Sequence, residues 1–144
     1  MKVLNEMKIT CMSKSANEAF ARVAVSSFVA QLDPTVEELT DIRTAVSEAV
    51  TNAIVHGYGN ELGIITLQVR ILEDAEIEVV IRDKGKGMED VKQAMQPLYT
   101  TCETGERAGM GFTIMETFMD RLRVTSRPGK GTTVRLRKRL RLKE

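Results

Sequence analysis

The segment SEAVTNAIVHG, residues 47–57, is the part of the sequence from which the fold can be worked out. If it is helical, Glu48, Asn52 and His56 recur every four residues and lie on one slowly drifting stripe beside an apolar face. Polar groups next to a core are costly unless they are paired. Either the stripe faces solvent or it meets a polar ligand. An amide oxygen can share a Mg²⁺ ion with phosphates, and a carboxylate can accept a proton from an attacking hydroxyl.

The helix that contains this segment is predicted to begin where Thr35 and Glu38 have the spacing of a capping box. It should run through residues 37–56, because apolar side chains recur there at helical spacing. We expect it to stop at Gly57, since glycine accepts the left-handed conformation that is common after helix ends.

Upstream of this helix, the sequence predicts a strand and another helix. Residues 4–12 alternate apolar and polar side chains, which is typical of a strand with one buried face. Ser15 and Glu18 have the spacing of a second capping box, at the start of an amphipathic helix that should extend to about Gln31.

Downstream, the β-branched residues of 64–72 and 76–82 predict two strands, and the short polar break between them indicates an antiparallel hairpin. Residues 88–108 have weak periodicity and predict a long loop that could contain a short helix. A loop of that length in a compact domain is usually functional or mobile. The remaining elements are expected to be a helix from Gly111 to about Arg121 and strands over 121–126 and 132–142.

This order of elements predicts a single α/β domain over residues 1–144. The expected architecture is a two-layer sandwich, with a mixed, mostly antiparallel sheet and helices on one face.

The composition is that of a globular protein, and a net charge of +1 gives no reason to expect nucleic acid as a direct partner. No apolar run approaches the roughly 20 residues of a membrane span. We therefore expect no membrane segment. The two cysteines lack metal-binding spacing, and we expect both to be reduced thiols in a cytoplasmic protein.

Two glycine-rich segments could contact a nucleotide. Asp83 to Gly87 follows a predicted strand. A carboxylate can accept the amino hydrogens of a purine, and the two glycines allow the backbone to approach a ligand closely. The alternative for this segment is a plain glycine-rich turn after a strand. Arg107 to Phe112 opens a predicted helix, where free N–H groups, the helix dipole and an arginine favour an anion. The alternative there is a flexible helix start with an exposed arginine. Neither segment has the spacing of a Walker loop or a dinucleotide-binding motif.

The ordered combination of motifs is more specific than any one of them. The segments SEAVTNAIVHG, RDKGKGM, ERAGMGF and GKGTT follow one another in the chain. Together they resemble the four nucleotide boxes of the gyrase, Hsp90, histidine-kinase and MutL ATPase superfamily. Within it, the stretches FARVAVSSFVAQLDPT, PLYTT and GMGFTIMETFMD look like the serine-kinase anti-sigma factors of endospore-forming bacteria. The resemblance covers nearly the whole chain.

The resemblance implies a role for each motif residue. Glu48 is the expected catalytic base, Asn52 the Mg²⁺ ligand and Asp83 the acceptor of the adenine amino group. Residues from about 95 to 108 are the expected ATP lid. The other expected nucleotide contacts, on the adenine side or around the phosphates, are Gly85, Gly87, Thr101, Arg107, Gly109, Met110, Gly111, Phe112 and Thr132.

Members of this family have two linked activities, and the resemblance implies both for this chain. They hold a sigma factor, here of the sporulation sigma F type, away from RNA polymerase core. They also use ATP and Mg²⁺ to phosphorylate a serine of an anti-anti-sigma antagonist, whose docking the added charge then breaks. A homodimer is expected as well. Arg22, among apolar neighbours on the first helix, matches the partner-binding surface of the family; otherwise it is a solvated helix charge.

Two other classes of function stay open. The catalytic domain of a histidine kinase would need its acceptor histidine in another protein, because the only histidine here is His56. A non-catalytic, nucleotide-dependent binding module would have no need of a base such as Glu48. The basic run RLRKRLRLK, residues 135–143, predicts a strand with one wet face. It is either a solvated edge that discourages aggregation or a surface that attracts an acidic sigma segment.

Overall fold

The computed structural model describes residues 1–91 and 111–141. Two short 3-10 turns, Ala30–Leu32 and Glu73–Ala75, and a π-helical turn, Ala53–Tyr58, connect the longer elements. Those elements are, in chain order, β1 (Val3–Met12), α1 (Ser15–Val29), α2 (Val36–Asn52), β2 (Ile64–Leu72), β3 (Glu76–Asp83), α3 (Gly111–Phe118), β4 (Arg121–Arg127) and β5 (Gly131–Arg139).

The five described strands form one sheet in the order β1-β2-β3-β5-β4. Every neighbouring pair is antiparallel, including the predicted hairpin of β2 and β3, in which Val69 lies opposite Val79. The helices cover one face, so the predicted two-layer α/β sandwich is confirmed. The sheet differs from the expected mixed one, since the described strands contain no parallel pair.

One of the two predicted capping boxes is present. Thr35 Oγ1 accepts the backbone N–H of Glu38 at 3.0 Å, and Glu38 Oε1 accepts the backbone N–H of Thr35 at 2.9 Å. The box predicted at Ser15 and Glu18 is wrong, because α1 begins after Lys14 without a side-chain cap. Glu18 instead accepts a hydrogen bond from Ser47 of α2, so its carboxylate joins the two helices.

The end of α2 also differs from the expectation. Gly57 does not stop the helix; it lies inside the π-helical turn Ala53–Tyr58. The positive φ of 62° occurs two residues later, at Gly59, where a side chain would be strained. The wider π turn continues the direction of α2 and brings Gly57 towards the end of β3.

The hydrophobic core lies between the helices and the covered face of the sheet. Fully burying one large aliphatic side chain in this core contributes about 1.5–3 kcal/mol to the free energy of unfolding. Apolar residues at helical spacing on α2 face this layer, and α2 contacts both α1 and α3. The largest fully buried side chains are Val25, Val29, Ile42, Val46, Val50, Ile65, Leu67, Ile71, Ile77, Ile81, Met115 and Leu136.

The opposite face of the sheet is not covered by any described helix, and we call it the open face. Strand alternation and register place nine basic and three acidic side chains on it. The acidic ones are Glu6, Glu76 and Glu78; the basic ones are Lys8, Arg70, Arg82, Arg121, Arg123, Arg127, Arg135, Arg137 and Arg139. The whole chain has a net charge of only +1, so positive charge is concentrated here.

The basic segment near the C-terminus is not a strand edge, which corrects that expectation. β5 lies between β3 and β4 and pairs with both. Lys138 points to the covered face, where its ammonium group lies 3.7 Å from the carboxylate of Asp41 and donates to the carbonyl of Phe118 at 2.8 Å. β5 ends at Arg139, earlier than predicted, and Leu142 lies outside the described residues. No helix within the described ranges is long and apolar enough to cross a membrane.

Candidate functional site

The stripe on α2 meets the start of α3. Glu48 and Asn52 are half-buried, so they belong neither to the core nor to a fully solvated face. A β-carbon on Gly111 would lie 3.1 Å from both terminal atoms of Asn52 and 3.4 Å from Glu48 Oε2. Only a residue without a side chain leaves this space open. The structure therefore brings together one carboxylate, one amide and the glycine backbone at the start of a helix.

Asp83 lies at the end of β3, on the covered face of the sheet, and is 9% exposed. Its Oδ1 accepts the backbone N–H of Gly85 at 2.9 Å. Burial raises the pKa of Asp83, and hydrogen bonds from the backbone of Gly85 and of Thr132 oppose that rise. A carboxylate held in a largely dry place gains from any further donor that a ligand brings.

Close backbone approaches surround Asp83. A β-carbon on Gly57 would lie 2.9 Å from Asp83 Oδ1, and one on Gly85 would lie 2.1 Å from the carbonyl oxygen of Gly57. Gly87 has φ +71°, and a β-carbon there would lie 1.9 Å from the carbonyl oxygen of Arg127. The loop after β3 thus fits against the end of α2 and against the end of β4 only because glycines stand at these contacts.

Tyr58 holds this arrangement in place, although it was not among the residues predicted from the sequence. Its hydroxyl accepts the backbone N–H of Lys84 at 2.7 Å and donates to the carbonyl of Ile64 at 2.6 Å. A second bond, from the N–H of Lys86 to the carbonyl of Gly57 at 2.9 Å, ties the same loop to the end of α2. The available signal in the sequence was a tyrosine just after the helical stripe, because a partly buried tyrosine hydroxyl usually finds a hydrogen-bond partner.

Ser126 of β4 anchors the far end of the loop and was also missed. Its hydroxyl accepts the backbone N–H of Met88 at 2.9 Å and donates to the carbonyl of Gly131 at 3.0 Å. It also lies 2.8 Å from Thr132 Oγ1. Thr132, predicted to close the adenine side, is therefore placed beside Asp83 by its backbone and beside Ser126 by its hydroxyl.

A cleft of about 630 Å³ opens beside this region, lined by residues 56–62 and 84–86. The third member of the helical stripe, His56, lies on it and is half-buried. Burial lowers the pKa of His56, and the positive charge of Lys86 lowers it further. Both effects favour a neutral imidazole at physiological pH.

The remaining predicted site residues divide into three groups. Phe112 is 8% exposed and packs in the core, so only its backbone is available to a ligand. Arg22 is far along the chain from the site, on α1; its side chain is 45% exposed and lies 3.9 Å from Glu18. Outside the described residues lie Thr101, Arg107, Gly109, Met110 and the predicted lid over 95–108.

The site fits a magnesium nucleotide better than a protein-enclosed metal. Among the described residues no group of three or more His, Cys, Asp or Glu side chains could hold an ion. Mg²⁺ usually keeps few protein ligands when substrate phosphates supply the others. The Asn52 carbonyl oxygen beside the open space at Gly111 meets that requirement.

Comparison with known proteins identifies the family. The sequence model of the histidine kinase-like ATPase domain matches residues 12–138. The chain is 59% identical over 138 residues to the anti-sigma F factor of Caldanaerobacter subterraneus subsp. tengcongensis, covering 96% of each chain. It is 58% identical over 137 residues to that of Clostridium novyi, covering 94% of this chain and 95% of the relative.

Solved structures agree on the fold. The chain matches a crystal structure of the RsbU and RsbW domains of a Mycobacterium tuberculosis protein with TM-score 0.68 and 22% identity, covering 94% of this chain and 32% of that one. The mycobacterial sensor histidine kinase MprB matches with TM-score 0.57 and 18% identity, covering 73% and 74%. Motifs, fold and relatives coincide, and the chain belongs to the histidine kinase-like ATPase domain family, in the branch of the anti-sigma F factors.

Proposed function

We propose that this chain is a cytoplasmic anti-sigma factor that binds a sporulation sigma factor of the sigma F type and is also an ATP-dependent serine kinase. Its kinase substrate is an anti-anti-sigma antagonist protein. The observation that carries the proposal is that Glu48 and Asn52, one helical turn apart, both face the space that the missing side chain of Gly111 leaves open. Anti-sigma F relatives of 55–59% identity support the same function.

Nucleotide binding is proposed to be divided between the C-terminal part of α2 and the π-helical turn that follows it. Beside the π-helical turn, Asp83 accepts the adenine amino group, and the close approach of Gly57 and the hydrogen bond from Gly85 position its carboxylate. At the last residue of α2, about one turn before Gly57, Asn52 would offer its carbonyl oxygen to the Mg²⁺ that accompanies the phosphates. The bound ion would neutralise charge on the phosphate oxygens.

Phosphoryl transfer then needs a proton acceptor, and Glu48 supplies it. The serine Oγ of the antagonist forms a bond to the γ-phosphorus, the bond from that phosphorus to the bridging oxygen breaks, and ADP leaves. The serine proton passes to the carboxylate of Glu48. Because phosphoryl transfer depends mainly on positioning and charge, the fixed place of Glu48 beside Gly111 also contributes.

The partner surface is proposed to lie on α1, around Arg22. Two large apolar side chains of the same helix are also exposed, Phe20 at 57% and Val23 at 49%. Apolar side chains beside an arginine are typical of an interface centre. Phosphoserine on the antagonist adds charge and ends its competition with the sigma factor. We also propose a homodimer, as in the family that the sequence resembles.

A transfer assay with labelled ATP tests the proposal. The chain is incubated with a candidate antagonist, and the variants Glu48→Gln and Glu37→Gln are compared, since Glu37 is an exposed glutamate on the same helix. Acid-stable label on a partner serine, lost with Glu48→Gln and kept with Glu37→Gln, supports the kinase. Acid-labile label on a histidine would instead indicate a histidine kinase, and nucleotide binding without transfer would indicate a binding module.

A further inference from the structure

The open face carries its strongest concentration of charge over β4 and β5. The register places Arg121 directly opposite Arg137 and Arg123 directly opposite Arg135. Like charges directly opposite each other in a sheet are destabilising. Four guanidinium groups are therefore held close together on one face of the sheet, at a cost to the stability of the fold.

Of these four arginines, only the two on β5 are paired with an acidic side chain of the sheet. Arg137 Nε lies 2.9 Å from Glu78 Oε2, and Arg135 lies 3.7 Å from the other oxygen of the same carboxylate. Glu78 belongs to β3, on the side of β5 away from β4. Arg121 and Arg123 are exposed and make no ion pair with any residue that the structure describes.

Protection of a sheet edge does not account for the pattern. β4 is the last strand of the described sheet, and charged residues there discourage edge-to-edge pairing. The arginines continue on β5, however, which has a strand on either side and no edge to protect. A row of positive charge across both strands suits the binding of a negatively charged partner.

We propose that the open face over β4 and β5 is a second docking surface, which binds a carboxylate-rich segment of a protein partner. It is separate from the surface around Arg22 on α1. Side chains two residues apart on a strand are about 6.6–6.8 Å apart. An extended segment with acidic residues at alternate positions therefore matches Arg121 and Arg123, and guanidinium forks pair well with carboxylates.

Other anionic partners fit this surface less well. The open-face positions of the described strands contain no aromatic side chain on which bases could stack. Those of β4 and β5 also contain no apolar side chain that could insert into a lipid surface.

Fluorescence anisotropy with a labelled peptide of repeating Glu-Ser tests the proposal, and a Gln-Ser peptide of the same length is the uncharged control. We expect the Glu-Ser peptide to bind, and binding to weaken as salt rises towards about 0.15 M, where screening acts within about 8 Å. Replacing both Arg121 and Arg123 by Thr should weaken binding about 5- to 10-fold. Replacing the exposed Lys2 and Lys14 by Thr removes the same charge at the other edge and should have no such effect.

The single charge reversal Arg123→Glu provides a second test with less change to the strand. It should weaken peptide binding and leave nucleotide affinity unchanged, so a failure here is distinct from a failure of the kinase proposal. Equal affinity for both peptides, or the same affinity in wild type and variants, would overturn the proposal. Tighter, arginine-dependent binding of a duplex oligonucleotide or of phosphatidylglycerol vesicles would also overturn it.

Discussion

Gly57 in the π-helical turn after α2 lies so close to Asp83 that a β-carbon on Gly57 would be 2.9 Å from the Asp83 Oδ1 atom. This contact links the helix that carries Glu48 and Asn52 to the carboxylate proposed to bind adenine. A shift of either partner therefore moves one half of the proposed nucleotide site relative to the other.

The first prediction follows from this contact. Gly57→Ala should displace Asp83 and weaken ATP binding about tenfold or more, since one hydrogen bond to a charged group contributes about 1.5–3 kcal/mol. Gly57 has no positive φ, so alanine should not strain the backbone itself. Calorimetric titration of Gly57→Ala, Asp83→Asn and the double variant with ATP tests whether the effect of Gly57→Ala acts through Asp83. Additive losses would show that Gly57 does not act through Asp83.

The second prediction concerns Asn52. Asn52→Ala should abolish Mg²⁺-dependent ATP binding, because the amide oxygen is the proposed protein ligand of the ion. Alanine has a higher helix propensity than asparagine, so α2 should persist. Titration with ATP in the presence of Mg²⁺ and then of a chelator measures the effect, with Asn5→Ala, an exposed position on β1, as control. Unchanged affinity with Mg²⁺ would remove Asn52 from the metal site.

The third prediction separates binding from chemistry at Glu48. Glu48→Gln keeps the shape of the side chain but is a poor proton acceptor, so ATP should still bind. Phosphoryl transfer should fall by about 10²–10⁴-fold, the usual range for a general base. Single-turnover transfer with saturating ATP is the measurement. A wild-type rate would leave positioning alone to explain catalysis.

The fourth prediction tests the partner surface on α1. Arg22→Glu should weaken binding of both the sigma factor and the antagonist, since desolvated interface charges contribute about 2–5 kcal/mol. It also places two carboxylates one turn apart, because Glu18 lies 3.9 Å from Arg22. ATP affinity should not change. Lys14→Glu, the same reversal just before α1, is the control. Normal partner affinity of Arg22→Glu would make Arg22 a solvated helix charge.

The fifth prediction is a pH dependence that originates from His56. Its pKa in the folded protein is lowered, first by burial and then by Lys86. As pH falls below the unfolded-state pKa of about 6.5, the unfolded chain binds the proton first, so the free energy of unfolding should fall. The loss levels off once folded His56 is protonated too.

Urea unfolding of wild type and His56→Gln across this pH range isolates the effect. His56 is the only histidine in the chain, so no other imidazole contributes. Carboxylates affect both proteins alike, and the difference between the two curves reports on His56. Parallel curves would show that His56 has the same pKa in the folded and unfolded states.

The sequence alone determined the elements that depend on near neighbours in the chain. The capping box of Thr35 and Glu38 and the hairpin of β2 and β3 follow from spacings of a few residues. The stripe of Glu48, Asn52 and His56 follows from the period of one helix. Local patterns of this kind are visible in a sequence because both partners lie within one element or in adjacent ones.

Only the tertiary structure decided which distant elements meet. Gly111 lies against Asn52, Tyr58 holds the loop after β3, and Ser126 anchors Met88, although each pair comes from different elements. Strand order also placed β5 inside the sheet, whereas the sequence favoured an edge. These contacts depend on register and on the path of the chain between elements. A one-residue shift of register would have turned the arginines of the open face into the core.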